Sequence, residues 1–240
     1  MLILALDTTS EKGGVGIFDN AECLVTVPNQ GPANLFSVTL FEMVQQALAQ
    51  ADLELSRIEL YAVANGPGSF TGIRVGLAAA RAWGTAFGRP VRGISILEAL
   101  VENVRLTSDW AFPLLDARRG EFFLGSFRRI PREVGSANGP KYEPEGAGWV
   151  LKPEALQSFL EPRLQRGAGA TCVVRAHDLA AQALRDSLPS TLAWQQIEGT
   201  LTDSIASLAR KKESERSPGS NSQLDAYYIR RPDAEINWKD

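Results

Sequence analysis

Residues 2–6 (Leu-Ile-Leu-Ala-Leu) are apolar without interruption and end at Asp7. A run this short and continuous predicts a central strand covered on both faces. Residues 14–18 and 22–27 predict two further strands, with Asp19-Asn20 as the turn between them. The pattern then changes period. Over 35–51, Leu40, Val44 and Leu48 form one stripe, which Phe41, Met43 and Ala47 widen, so this segment predicts a helix. A strand over 60–64 is broken by Gly66-Pro67-Gly68, and Thr71–Phe87 predicts a second helix. A strand over 90–96 and a helix over 96–105 follow.

The second half repeats this order more loosely. Strands are predicted at 111–115, 171–176 and 191–197, a returning strand at 121–127, and helices at 153–160, 178–187 and 202–212. The segments LILALDTTSEKGGVGIF and FPLLDARRGEFFLGSF read as two versions of one unit, each an apolar strand, a terminal Asp, a polar turn and a returning strand. This duplication puts Asp7 and Asp116 at equivalent positions. Residues 130–148, rich in Gly, Pro and Glu, predict a long surface loop, and 210–223 a polar connector. The tail from Leu224 regains apolar residues and is expected to dock, on this chain or on a partner. The expected division is an N-terminal lobe (1–104), a C-terminal lobe (105–209) and a connector with a docking tail (210–240).

Composition narrows the function. The 240 residues are 44% hydrophobic and 22% charged, an ordinary globular balance. The net charge of −3 argues against a protein that grips nucleic acid alone. Neither a secretory leader nor an apolar run of about 20 residues is evident, so a soluble cytoplasmic protein without membrane contact is expected. The two cysteines, Cys23 and Cys172, lack CxxC spacing, and His177 is the one histidine, so neither a metal site nor a Ser-His-Asp triad is expected.

Four features carry candidate chemistry. Asn65-Gly66-Pro67-Gly68-Ser69-Phe70-Thr71-Gly72-Ile73-Arg74 is a glycine-rich strand-to-helix turn. It could present N–H groups to an anion, or simply let a helix pack close to a sheet. Asp7, Thr8 and Thr9, with Gly68 and Ser69, are candidates for phosphate or nucleotide contact, against the plainer reading of a capped turn. Gly72, Gly76, Ala80 and Gly84 recur every four residues, which serves either internal packing or a helix pairing with another subunit. Arg118 and Arg119, with Arg128 and Arg129 nearby in sequence, form a basic spot that reads as a solvated turn with surface ion pairs, or as a contact to tRNA phosphate or to an acidic patch on a partner.

The segments ILALDTTSEKGGVGIFDN, VANGPGSFTGIRVGLAAARAWGTAFGRPVRGISILEAL, LLDARRGEFFLGSF and YYIRRPDAE together resemble the TsaB (YeaZ) family, in the same order across nearly the whole chain. The resemblance implies an α/β protein with an actin/hexokinase-like (ASKHA) fold of two duplicated ribonuclease-H-like lobes. It implies a non-catalytic relative of the TsaD/Kae catalytic subunit, with no cofactor of its own. The implied partners are TsaD, as a heterodimer, the ATPase TsaE, and tRNA through the complex. The implied product is N6-threonylcarbamoyladenosine at adenosine 37 of tRNAs reading codons that begin with A. The family pairs through helices matching 35–51 and 71–88, which assigns Leu40, Phe41, Val44, Leu48, Gly72, Gly76, Ala80 and Gly84 to a partner interface, and Gly76→Arg is expected to block pairing while sparing the fold. Two departures stand out. Gln30-Gly31-Pro32-Ala33-Asn34-Leu35-Phe36 lacks the family's usual His-Ser pair, and Ala226 replaces its usual Pro. Rival readings are an actin-like ATPase, an M22-type protease-like enzyme, or a homodimeric structural module using the same helices.

Overall fold

The computed structural model describes residues 1–32, 35–104, 108–130, 141–164, 169–215, 225–227 and 229. Ala33 and Asn34, within the first family departure, lie outside them. The chain forms two compact units. Of the described residues, those in 1–99, 199–215 and 225–227 form one, and those in 100–198 with Ile229 form the other.

The first unit is built on a sheet of β1 (Leu2–Asp7), β2 (Gly14–Asp19), β3 (Glu22–Pro28), β4 (Leu60–Gly66) and β5 (Val91–Ser95), in the order β3-β2-β1-β4-β5. β1 runs antiparallel to β2 and parallel to β4. Alternation along the strands turns Leu4, Leu6, Val15, Ile17, Tyr61 and Val63 into one core with helices α1 (Phe36–Gln50) and α2 (Phe70–Phe87). α3 (Ile96–Glu102) follows β5.

The second unit repeats this frame. Its strands are β6 (Trp110–Asp116), β7 (Phe122–Leu124), β8 (Phe127–Ile130), β9 (Lys141–Pro144), β10 (Trp149–Leu151), β11 (Ala170–Arg175) and β12 (Leu192–Ile197). The main path is β10-β7-β6-β11-β12, with β6 antiparallel to β7 and parallel to β11. β6 thus stands where β1 does, and Asp116 ends its strand as Asp7 does. Two lobes with this antiparallel-then-parallel order are the duplicated ribonuclease-H-like pattern of an actin/hexokinase-like fold. Its helices are α4 (Pro153–Leu164) and the single turn α5 (Leu179–Gln182).

Three expectations change. α6 (Thr202–Ser214) packs on β1 and β5 of the first unit, burying Thr202, Ile205, Ala206 and Ala209, so a boundary at 209 would cut a helix. The loop expected over 130–148 contains β9, which pairs with β8 through Arg128↔Glu143 and Ile130↔Lys141. The returning strand over 121–127 is divided at Gly125 and Ser126: β7 pairs with the Asp116 end of β6, and β8 with its Trp110 end. No described helix is long and apolar enough to cross a membrane.

Candidate functional site

The chain leaves β1 at Asp7, whose Oδ1 accepts from the Thr9 amide (3.0 Å) and the Thr9 hydroxyl (2.6 Å). Asp7, Thr8 and Thr9 are all buried. What covers them is the start of α2. The Ser69 amide donates to the Thr9 carbonyl at 2.7 Å, and the Ser69 hydroxyl caps the helix by accepting from the Gly72 amide at 3.2 Å. A side chain at Gly72 would strike the Thr8 carbonyl, and one at Gly76 the Thr8 hydroxyl. The glycine turn therefore brings a helix close to a strand end. The residues expected at a phosphate site, Asp7, Thr8, Thr9, Gly68 and Ser69, form that internal contact.

The same geometry corrects the partner interface. Gly72, Gly76, Ala80 and Gly84 are buried, and Gly84 lies against Val91 and the Arg89 carbonyl. Leu40 and Val44 are core residues, and Leu48 is half-buried at the core's edge. The four-residue spacing marks a face pressed onto the chain's own sheet, so Gly76→Arg would disrupt the fold rather than report pairing. Of the eight assigned residues, Phe41 alone points outward, at 54% exposure.

The outer face has a different composition. Val38 is 65% exposed and Leu35, just before α1, is 43% exposed. The Phe41 ring meets Trp83 of α2 edge-on at 5.8 Å, which joins the two helices at the surface. On α2 the exposed residues include Arg74, Ala78, Arg81 and Ala82, with the Arg74 guanidinium 3.7 Å above the Phe70 ring. Three large apolar side chains on one helix stretch are an unusual thing to leave in water. The signal was present in the sequence as Leu35, Val38 and Phe41 at three-residue spacing among Ser37, Glu42, Gln45 and Gln46.

The tail docks on the end of β4 and reaches Arg81 of α2. The Tyr227 amide donates to the Asn65 carbonyl at 2.8 Å, the Asn65 side-chain amide donates to the Asp225 carbonyl at 3.2 Å, and Arg81 pairs with Asp225 at 3.5 Å. Gly66, at φ +121°, leaves room for the Tyr227 carbonyl. Ala226 packs on the first unit's core. Burial first, then the Glu98 carboxylate, raises the Tyr227 hydroxyl above its usual pKa.

In the second unit Arg118 and Arg119 sit exposed in the β6–β7 turn. Arg128 and Arg129 belong to β8, at the far end of β6, where Arg129 pairs with Asp109 at 3.0 Å. The basic spot read from sequence is thus two separate places. His177 lies in the turn before α5, Cys172 is buried with its thiol pKa pushed up by burial, and Cys23 is exposed. Among the described residues no three His, Cys, Asp or Glu gather closely enough to hold a metal ion.

The family model described as TsaD, tRNA N6-adenosine threonylcarbamoyltransferase, matches residues 27–146. The "tRNA threonylcarbamoyladenosine biosynthesis protein TsaB" of Bacillus subtilis is 30% identical over 128 residues, 53% of this chain and 56% of that protein. The chain belongs to the TsaB/YeaZ family. An uncharacterized Mycobacterium leprae protein is 37% identical over 143 residues, which is 58% of this chain and 38% of that one. The match therefore spans about half or less of the length of these relatives. YeaZ from Pseudomonas aeruginosa shares the fold, with a TM-score of 0.68 at 21% identity, covering 89% of this chain and 93% of that structure. The TsaB/YeaZ frame accounts for the two-lobed architecture.

Proposed function

We propose that this chain is a non-catalytic subunit that binds a TsaD threonylcarbamoyltransferase and supports formation of N6-threonylcarbamoyladenosine at position 37 of tRNAs reading codons that begin with A. The observation that carries this reading is the outer face of α1 and α2. Val38 and Phe41 expose large apolar surfaces on α1, and α2, which Phe41 meets at Trp83, exposes the short side chains of Ala78 and Ala82. Such a face suits a second pair of helices: bulky residues insert, and small ones let the backbones approach. Family membership supports TsaD as the partner, and TsaE and tRNA as further members of the assembly. The buried Asp7–Thr9 segment and the single histidine of the sequence agree with a supporting rather than a catalytic role.

The test is calorimetric titration of this protein with the TsaD of the same organism, repeated for Phe41→Asp and Ala82→Arg. Single-site binding that both variants abolish, with melting temperatures near wild type, supports the reading. Normal binding by both variants would refute the interface. Wild-type self-association through the same face, with no affinity for TsaD, would favour the homodimeric module instead.

A further inference from the structure

The turn between β6 and β7 is held in a conformation its residues do not favour. Among the described residues four that are not glycine have positive φ: Asn20, Asp52, Arg118 and Arg119. Asn and Asp enter the left-handed region at little cost, because their short polar side chains bond locally. Arginine is not among the residues that favour this region. Yet Arg118 (φ 64°), Arg119 (φ 58°) and Gly120 (φ 72°) occupy this region in succession. The surroundings enforce it. The Ala117 amide donates to the Glu121 carbonyl at 2.9 Å, and the Glu121 amide to the Arg118 carbonyl at 3.1 Å. Asp116 Oδ1 accepts from the Arg118 amide at 2.7 Å, while the Asp116 amide donates to Asp178 Oδ2 at 2.7 Å. The backbone is thus pinned on both sides, and the side chains stand outside it. The Arg118 side chain is 87% exposed, its Asp116 pairing a loose 3.8 Å, and the space around Gly120 is open.

We infer that this rigid turn is an RNA-contacting tip, which holds the Arg118 and Arg119 guanidiniums against the phosphodiester backbone of tRNA. The inference rests on the proposed role in tRNA modification for the identity of the RNA. Glycine or asparagine would relax the turn, so the two arginines stand where they cost stability, and backbone strain of this kind collects at binding sites. A guanidinium fork matches phosphate oxygens in pairs, and a pinned turn loses little freedom on contact. Contact to phosphate alone positions an RNA without reading its bases, which suits a subunit that is not the catalyst.

The test compares wild type with Arg118→Asn/Arg119→Gly. Anisotropy titrations use an unmodified tRNA transcript across a range of KCl, with the full chain alone and with its TsaD complex. The double variant is expected to melt no lower than wild type, to bind TsaD normally, and to lose about tenfold in tRNA affinity, with the salt slope flattened by roughly one to two. Arg118→Lys/Arg119→Lys should recover part of the affinity. Unchanged tRNA affinity and salt slope would overturn the inference. So would a lower melting temperature with intact tRNA binding, which would make the turn structural, or a selective loss of TsaD binding, which would assign it to an acidic protein surface. Should wild type fail to bind TsaD, the role proposed above fails, and the titration of the chain alone still decides the tip.

Discussion

The two units carry the same strand frame and use its equivalent ends in opposite ways. In the first, the strand ending at Asp7 runs under an 18-residue helix, and everything from Asp7 to Thr9 is buried. In the second, the strand ending at Asp116 leads into an open turn, and the helix after β11 is only four residues long. The cause is local. Gly72 and Gly76 let α2 lie on the Thr8 backbone, whereas the segment after β11 stops at Gln182 and continues through a second short turn at Arg185–Ser187. A duplicated scaffold thus keeps one end closed, offering the outside of its helices, and the other end open, offering a turn.

The largest effect should come from opening the closed end. Gly72→Val drives a side chain into the Thr8 carbonyl, where backbone cannot yield. A loss above about 4 kcal/mol, or failure to fold, is expected in denaturant titration. Gly120→Ala is the matching change at the open end. It meets no neighbour and suffers only its positive φ, so about 1 kcal/mol is expected. Equal costs at the two sites would remove the contrast between the ends.

Next in size are the two faces of α1. Leu40 is fully buried and Phe41 is 54% exposed, one residue apart. Leu40→Ala should cost about 2–5 kcal/mol of stability, read in the same titration. Phe41→Asp should leave stability within about 1 kcal/mol and instead weaken TsaD binding by about 2 kcal/mol or more. A Phe41→Asp variant that unfolds would show that its edge contact with Trp83 matters more to the core than to a partner.

Much of this was legible in the sequence, and the failures have a common physical origin. The apolar run before Asp7, the break at Gly66-Pro67-Gly68 and the periodicity of 35–51 and 71–87 fix β1, β4, α1 and α2 to within a residue or two, because they depend on neighbours along the chain, whereas the helix expected over 178–187 is only Leu179–Gln182 with a short turn after it. Gly72, Gly76, Ala80 and Gly84 were legible as a face, but spacing cannot say whether the chain's own sheet or another molecule covers it. The return of α6 to the first sheet is a long-range choice that no local pattern records. The Gly, Pro and Glu content of 130–148 reads as loop and hides β9, whose Lys141-Tyr142-Glu143-Pro144 is polar and ends in proline, a composition that an outer strand tolerates. The left-handed run at Arg118 and Arg119 was hidden, since nothing in two arginines announces positive φ.

A smaller effect should follow from loosening the tail. Asn65→Ala removes the side-chain donor to the Asp225 carbonyl but leaves the Asn65 carbonyl that accepts from Tyr227. The expected loss is about 1 kcal/mol, confined to the tail, with faster amide exchange at Tyr227 and little change elsewhere. Protection lost across β4 as well would mean the tail is integral to the first unit's core.

The smallest effect is confined to alkaline pH. Tyr61 is buried in the first unit's core, with its hydroxyl donating to the Leu55 carbonyl at 3.3 Å. Burial pushes its pKa up to about 12, against a lesser opposing pull from Arg89. In the unfolded chain the phenol ionises near its ordinary value of about 10. Between those values the unfolded state releases a proton that the folded state keeps, so rising pH favours unfolding. The contribution is complete below about pH 10 and is lost as pH climbs toward 12. Tyr61→Phe cannot ionise and should lose less stability over that window than wild type, while losing at neutral pH only the long hydrogen bond to Leu55. Parallel alkaline melting curves for the two proteins would mean that the Tyr61 phenol reaches water in the folded state, and that the core beneath α1 and α2 is less closed than the end at Asp7.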